Sequence, residues 1–231
     1  MTPRTQLLLV PARPEPITID CSKTAVVVVD MQNDFVAPGG MFDRAGIDIS
    51  LIRQVLAPTQ NVLAAARKES MPIVYLKMEF QPDLSDFGAA DDPNRIKHRP
   101  FVVGERMKTP NGHEGRTLIK GTWNTEIVTE LAPRPGDLII SKIRYSGFYQ
   151  TDLHATLQAK GVKFLVFAGC TTSVCVESTL RDAMFRGYIC VLPSDCTAEP
   201  IGSHEASLLV IEKLFGWVTN SRSFLQALNG S

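Results

Sequence analysis

The segment FAGCTTSVCVESTL at positions 167–180 sets two thiols, Cys170 and Cys175, five residues apart. A cysteine becomes a nucleophile where its surroundings favour the thiolate, and otherwise packs as a small apolar side chain. Two other ionisable residues stand in comparable settings: Asp30 closes TAVVVVD and Lys142 closes DLIISK. A carboxylate beside a thiol can take its proton, and an ammonium beside both stabilises the resulting charge. Each residue also has a plainer reading. An aspartate after a strand is often a turn former or helix cap, and a lysine at a strand end is usually solvated. Cys21, Cys190 and Cys196 read as core residues. No CxxC pair occurs, and His98, His113, His154 and His204 lack zinc-ligand spacing, so neither a metal site nor a disulfide scaffold is expected.

The elements that must position these groups are legible as apolar runs. TAVVVVD, PIVYLK, DLIISK, KFLVFAG and YICVLP have the pattern of strands covered on both faces. Helical periodicity fills segments 61–69, 124–131, 151–160, 175–186 and 204–215, and SRSFLQAL closes the chain. This alternation predicts an α/β fold, a three-layer doubly wound architecture with a mostly parallel central sheet and right-handed crossovers. Ligands of such sheets bind beyond the carboxyl ends of the strands, so Asp30, Lys142 and Cys175 are expected at one edge. Cys175 is further expected at a helix N-terminus, where the dipole and free N–H groups favour a thiolate. One domain over 24–231 is expected, preceded by an N-terminal arm, 1–23. Its proline-rich VPARPEPITID suits neither a helix nor a central strand and should lie across the surface or a neighbouring subunit. The region 78–122, rich in Gly, Pro, Asp and Arg without a clear period, is expected to form a cap over the site.

Composition narrows the partner. With 24 basic and 24 acidic residues and no run of like charge, the chain carries no footprint for nucleic acid or an anionic membrane. LLLV is too short for a signal-peptide core and is closed by Pro11, and no later segment is long and apolar enough to span a bilayer. A soluble, cytoplasmic protein acting on a small, weakly charged molecule without a cofactor is expected.

Three motifs in order, VVVVDMQNDF, SKIRYSGFYQTDL and GCTTSVCVESTLRDAMFRGY, resemble those of the isochorismatase-like cysteine hydrolases. That superfamily includes nicotinamidases, N-carbamoylsarcosine amidase and biuret hydrolase. The resemblance runs from about Thr24 to the C-terminus. Within the superfamily, RYSGF, VCVESTLRD, FGWV and SFLQAL are most similar to ureidoacrylate amidohydrolases, and PDLSD is also similar to biuret and triuret hydrolases. The resemblance implies a catalytic triad of Asp30, Lys142 and Cys175, an oxyanion hole from the backbone N–H groups of Thr171 and Cys175, a cis peptide between Cys170 and Thr171, and a homo-oligomer. Met78 and Phe80 stand where a nicotinamidase would show Asp and His ligands, which implies a metal-free site. The implied reaction is hydrolysis of a linear C–N bond in a ureido or carbamoyl compound, through a thioester or thiocarbamate on Cys175. Ureidoacrylate comes first and biuret or triuret second. The alternatives are a non-catalytic scaffold of the same fold and an amidase for another small amide such as nicotinamide.

Substrate contacts are sought near these motifs. Phe35, Trp123, Tyr145 and Phe148 are candidates for aromatic walls around a flat ureido group, and each is equally a candidate core residue. Glu79 and Arg144 are the polar candidates. Glu79 facing the site would favour the N–H donors of biuret, whereas Arg144 is either a carboxylate anchor or a surface ion pair. Gln32 and Asn33 are expected to brace the loop after Asp30.

Overall fold

In the computed structural model, residues 6–229 are described; positions 1–5 of the expected arm and 230–231 of the expected domain lie outside the described residues. The strands are β1 (Leu7–Val10), β2 (Ile17–Asp20), β3 (Thr24–Val29), β4 (Ile73–Met78), β5 (Arg106–Lys108), β6 (Glu114–Arg116), β7 (Leu138–Lys142), β8 (Phe164–Cys170), β9 (Ile189–Pro193), β10 (Thr197–Ala198) and β11 (Trp217–Thr219). Seven of them form one sheet in the order β11-β9-β8-β3-β4-β7, with β10 beside β8, and every pairing in it is parallel. The β-branched run of β3 explains its central place. Val26 and Val28 enter one apolar cluster, while Ala25, Val27 and Val29 enter the other. A strand that is apolar at every position can be buried only between two covered faces.

Helices supply the covers. Leu56–Lys68 and Ser221–Asn229 bury Val62, Leu63, Phe224 and Leu228 on one face. Leu153–Ala159, Glu177–Phe185 and His204–Val210 bury Leu153, Leu157, Leu180 and Leu208 on the other. The expected doubly wound α/β fold is therefore present. The chain runs from β3 outward through β4 and β7, then returns to β8 on the other side of β3, so the sheet reverses direction between β3 and β8. That reversal opens a crevice at the carboxyl ends of the strands. Among the described residues no helix is long and apolar enough to cross a membrane.

Three segments differ from the sequence expectation. The segment 124–131 forms no α-helix but two short 3-10 turns, Trp123–Thr125 and Thr129–Leu131. Its backbone is engaged elsewhere: Asn33 N donates to Glu126 O at 2.9 Å, and Val128 N donates to Met31 O at 3.0 Å. The proline-rich arm forms an antiparallel ribbon of β1 and β2, whose alternate residues Leu8, Val10, Ile17 and Ile19 join the core beside Phe224. The region 78–122 contains a helix, Pro93–Lys97, a 3-10 turn, Arg99–Phe101, and the β5–β6 hairpin.

Asp34 fastens that region to the sheet. Its carboxylate, fully buried, accepts Leu118 N at 2.7 Å, Met41 N at 3.0 Å and Asn124 Nδ2 at 2.7 Å. Burial pushes the carboxyl up to about 6, against the pull of these donors. Because this lies above the ordinary value of 3.8, the folded chain holds the proton more tightly than the unfolded chain does. The associated stability is complete below about pH 4 and is lost as the pH rises through about 6. Urea denaturation across that window is expected to show the loss in the parent protein and not in Asp34→Asn. Asp34→Ala, which strands three buried donors, is expected to cost about 3 kcal/mol or more; a variant as stable as the parent would remove Asp34 as the fastening.

Candidate active site

Strand β3 delivers Asp30 through an unusual backbone. Asp30 adopts φ 53°, a left-handed conformation that aspartate tolerates better than most residues. Asp30 N donates to Leu76 O at 3.0 Å and Asp30 O accepts Gln32 N at 2.8 Å, which turns the side chain inward. Gln32 braces the loop: its Oε1 accepts Met78 N at 2.7 Å, and its Nε2 donates to Met78 O at 2.9 Å. Asn33 Nδ2 donates to Trp123 O at 2.7 Å.

Parallel register brings Lys142 alongside. Met78 at the end of β4 pairs with Lys142 at the end of β7. Lys142 Nζ lies 2.8 Å from Asp30 Oδ2, and both residues are 1% exposed. Asp30 Oδ1 accepts Met78 N at 3.1 Å, and Lys142 Nζ also donates to Arg144 O at 3.3 Å, with the Met78 sulfur at 3.7 Å. Burial opposes the lysine charge, but the Asp30 carboxylate and Cys175 outweigh it and raise the ammonium above its ordinary range.

The third participant arrives from β8, which runs close against β3. Gly169 has φ 117°, and a Cβ there would stand 2.0 Å from Val29 O, so a larger residue would push the strands apart. Cys170 is fully buried; its thiol lies 3.4 Å from Asp30 O and burial raises it far above the ordinary range. The Cys170–Thr171 peptide is cis. The turn that follows is tied down from outside. Glu199 accepts Ser173 N at 2.7 Å, the Ser173 hydroxyl, Ile201 N at 2.9 Å and Gly202 N at 2.8 Å. Thr172 Oγ1 lies 3.0 Å from His204 Nδ1.

Cys175 lies in a widened helical turn, Thr172–Val176, that precedes the α-helix Glu177–Phe185. Cys175 thus lies in the first turns of one continuous helical stretch, where burial works against the favourable helix N-terminus. Cys175 is 7% exposed, and burial, reinforced by the Asp30 carboxylate and opposed by Lys142, raises the thiol above its ordinary range. A carboxylate within reach of a thiol is chemically able to take its proton.

Above these groups opens a cavity of about 200 Å³. Asp30, Cys170, Thr171 and Cys175 form its polar end; Phe35, Met41, Phe42, Met78, Phe101 and Leu118 form most of its wall, with His98, Tyr145, Val174 and Ile201. Of the candidate substrate contacts, Phe35 and Tyr145 line it. The other four do not, and each has a physical reason. Glu79 follows Met78, whose side chain takes the cavity side, and its own carboxylate turns away to Ser141 Oγ and to Lys77 Nζ at 2.9 Å. Trp123 reaches this region only through its carbonyl. Arg144 pairs with Asp92 at 3.1 Å and lies over Tyr149. Phe148 is buried in the opposite core cluster beside Tyr188, with Arg186 over its ring at 4.9 Å. Sequence reasoning did not find Met41, Phe42, His98, Phe101, Leu118, Val174 or Ile201. Val174 sits within the cysteine segment itself, whereas the others come from loops and short turns without a period, so no local pattern marks them.

The chain matches the isochorismatase domain over residues 24–223. It is 41% identical, over 96% of its length and 85% of the relative's, to a ureidoacrylate amidohydrolase of Methylobacterium radiotolerans. It is similar in structure to a cysteine hydrolase from Pseudomonas syringae pv. phaseolicola, with TM-score 0.76 and 27% identity, covering 100% of this chain and 99% of that one. It is also similar to the N-carbamoylsarcosine amidase of Thermoplasma acidophilum, with TM-score 0.66 and 28% identity over 86% of this chain and 96% of that one. The parallel sheet, the three polar residues gathered at its edge and these similarities lead to one conclusion: the chain belongs to the isochorismatase family.

Proposed function

We propose that the protein is a metal-free cysteine amidohydrolase that cleaves a linear C–N bond of a ureido or carbamoyl compound. The general class, hydrolysis of a linear amide bond, follows from family membership together with the 41% identity to a ureidoacrylate amidohydrolase. The observation that carries the reading is the buried Asp30–Lys142 pair standing beneath the Cys175 thiol at the polar end of an apolar cavity. Met78 and Phe80, in place of oxygen and nitrogen ligands, support a reaction without metal.

In this mechanism the substrate carbonyl carbon lies against Cys175 Sγ. As the S–C bond forms, Asp30 takes the thiol proton and the carbonyl π electrons move to oxygen. The backbone N–H groups of Thr171 and Cys175 receive that oxyanion; one such donor is typically worth about 3 kcal/mol of barrier. Asp30 returns the proton to the departing nitrogen as the C–N bond breaks, leaving a thioester or thiocarbamate on sulfur. Asp30 then takes a proton from water as the water oxygen bonds the carbonyl carbon, and gives that proton to Cys175 Sγ as the C–S bond breaks, which restores the thiol and carboxylate. Lys142 keeps its charge throughout and offsets the negative charge that passes between Asp30 and Cys175.

Ureidoacrylate is the leading substrate because of the identity to an enzyme named for it. Biuret and triuret form the second reading, although Glu79 is turned away from the cavity and offers them no acceptor. A homo-oligomer is the assembly that resemblance to the family implies; sedimentation of a stable monomer at working concentration would refute it.

Ammonia release from ureidoacrylate, biuret, triuret and nicotinamide is expected to be fastest with ureidoacrylate. Cys175→Ser is expected to abolish turnover with an unchanged circular dichroism spectrum; appreciable turnover would sink the nucleophile assignment. A scaffold would show no turnover with any of the four amides. Asp30→Asn is expected to lower kcat by about 100-fold or more. Lys142→Met, which leaves a buried carboxylate unpaired, is expected to destabilise the fold by about 3–5 kcal/mol in thermal or urea unfolding.

A further inference from the structure

The cavity wall is built almost wholly from aromatic and aliphatic side chains, and His98 is the conspicuous exception. Its ring is 5% exposed and its plane is held from several sides. Tyr145 stacks on it at 5.5 Å, while Phe80, Phe87 and Phe101 meet it edge-on at 6.2, 6.0 and 6.3 Å. His98 Nδ1 lies 2.7 Å from Asn94 O. A carbonyl oxygen can only accept, so Nδ1 carries a proton and donates. Burial, aided by the Lys142 and Arg144 cations and opposed by the Asn94 carbonyl, lowers the ring below its ordinary range. The ring is therefore neutral near pH 7, and Nε2 bears a lone pair. No described residue hydrogen-bonds Nε2.

An amide or ureido group brings N–H donors into this space, and a donor that leaves water without a partner is costly. Asp30 is bonded to Lys142 Nζ and Met78 N, and the Tyr145 phenol belongs to a residue 36% exposed that can satisfy itself with water. We infer that His98 Nε2 accepts a hydrogen bond from an N–H of the substrate, making His98 a specificity-determining residue that favours amides and ureides over acyl compounds without N–H. This inference rests on the functional reading above.

His98→Phe keeps a ring in the stack and removes the acceptor. Asn94 O retains its bond from the residue-98 backbone N–H, 3.0 Å away. Two substrates separate selectivity from folding: ureidoacrylate, which carries N–H groups, and p-nitrophenyl acetate, an ester that acylates the thiol and carries none. His98→Phe is expected to lower kcat/KM for ureidoacrylate by about 5- to 100-fold more than it lowers acylation by the ester. His98→Gln, whose side-chain oxygen can replace Nε2 as acceptor, is expected to recover most of the loss. Equal losses with both substrates would assign His98 a structural role, and unchanged ureidoacrylate kinetics would remove it from recognition; either overturns the inference. A parent enzyme inactive towards ureidoacrylate, biuret and triuret would sink the functional reading itself, a failure visible before any His98 variant is made.

Discussion

The ion pair between Asp30 and Lys142 is the constraint around which the rest of the molecule is arranged. Removing two charges from water costs several kcal/mol for each ion, and a buried charge left without its partner destabilises by about 3–5 kcal/mol. Such a pair persists only where its remaining hydrogen-bonding capacity is met. Here Met78 N serves the carboxylate and Arg144 O serves the ammonium. Met78 is set opposite Lys142 by parallel pairing of β4 with β7, and β4 is in turn held in register beside β3. A shift of one residue in either register would turn Lys142 to the opposite face. The apolar runs that build the sheet thereby also fix its charged edge.

The position of Cys175 depends on a second constraint, the close passage of β8 beside β3. Gly169 permits that approach, and Cys170 ends the strand against the carbonyl of Asp30. Beyond it, Glu199 anchors the turn by collecting three N–H groups and a hydroxyl. These contacts outweigh the burial of the Glu199 carboxylate and hold it ionised below the ordinary glutamate range. The two cysteines separate physically for this reason. Both border the cavity, but Cys170 belongs to the strand and is 0% exposed, with its thiol on the Asp30 carbonyl, whereas Cys175 retains 7% exposure.

The cavity wall follows a different logic. Asp34 draws the Met41 turn, the Leu118 backbone and Asn124 onto one carboxylate, and so fixes segments that have little regular structure of their own. His98, Phe101 and Leu118 reach the cavity from there. Their apolar contacts exclude water, which strengthens the electrostatic interactions at the polar end.

The order of strands and helices was legible from the sequence because continuous β-branched runs have few stable destinations other than a doubly covered parallel sheet. Asp30, Lys142 and Cys175 could be assigned to one edge for the same reason, since each directly follows or closes a run. The arm was harder to read: alternation in LLLV and ITID is too short to declare a ribbon until Leu8 and Ile19 find the core. Segment 124–131 had a helical period, yet backbone pairing with residues 31 and 33 took its hydrogen bonds. Glu79, Trp123, Arg144 and Phe148 lay close in sequence to the motifs, but orientation depends on strand parity and on distant partners such as Ser141, Asp92 and Tyr188. By itself, then, the sequence determined the sheet and the residues at its edge, because local pattern dictates strands and their ends. Only the tertiary structure decided the cavity wall and the surroundings of Cys175, because both depend on burial among residues far apart in the chain.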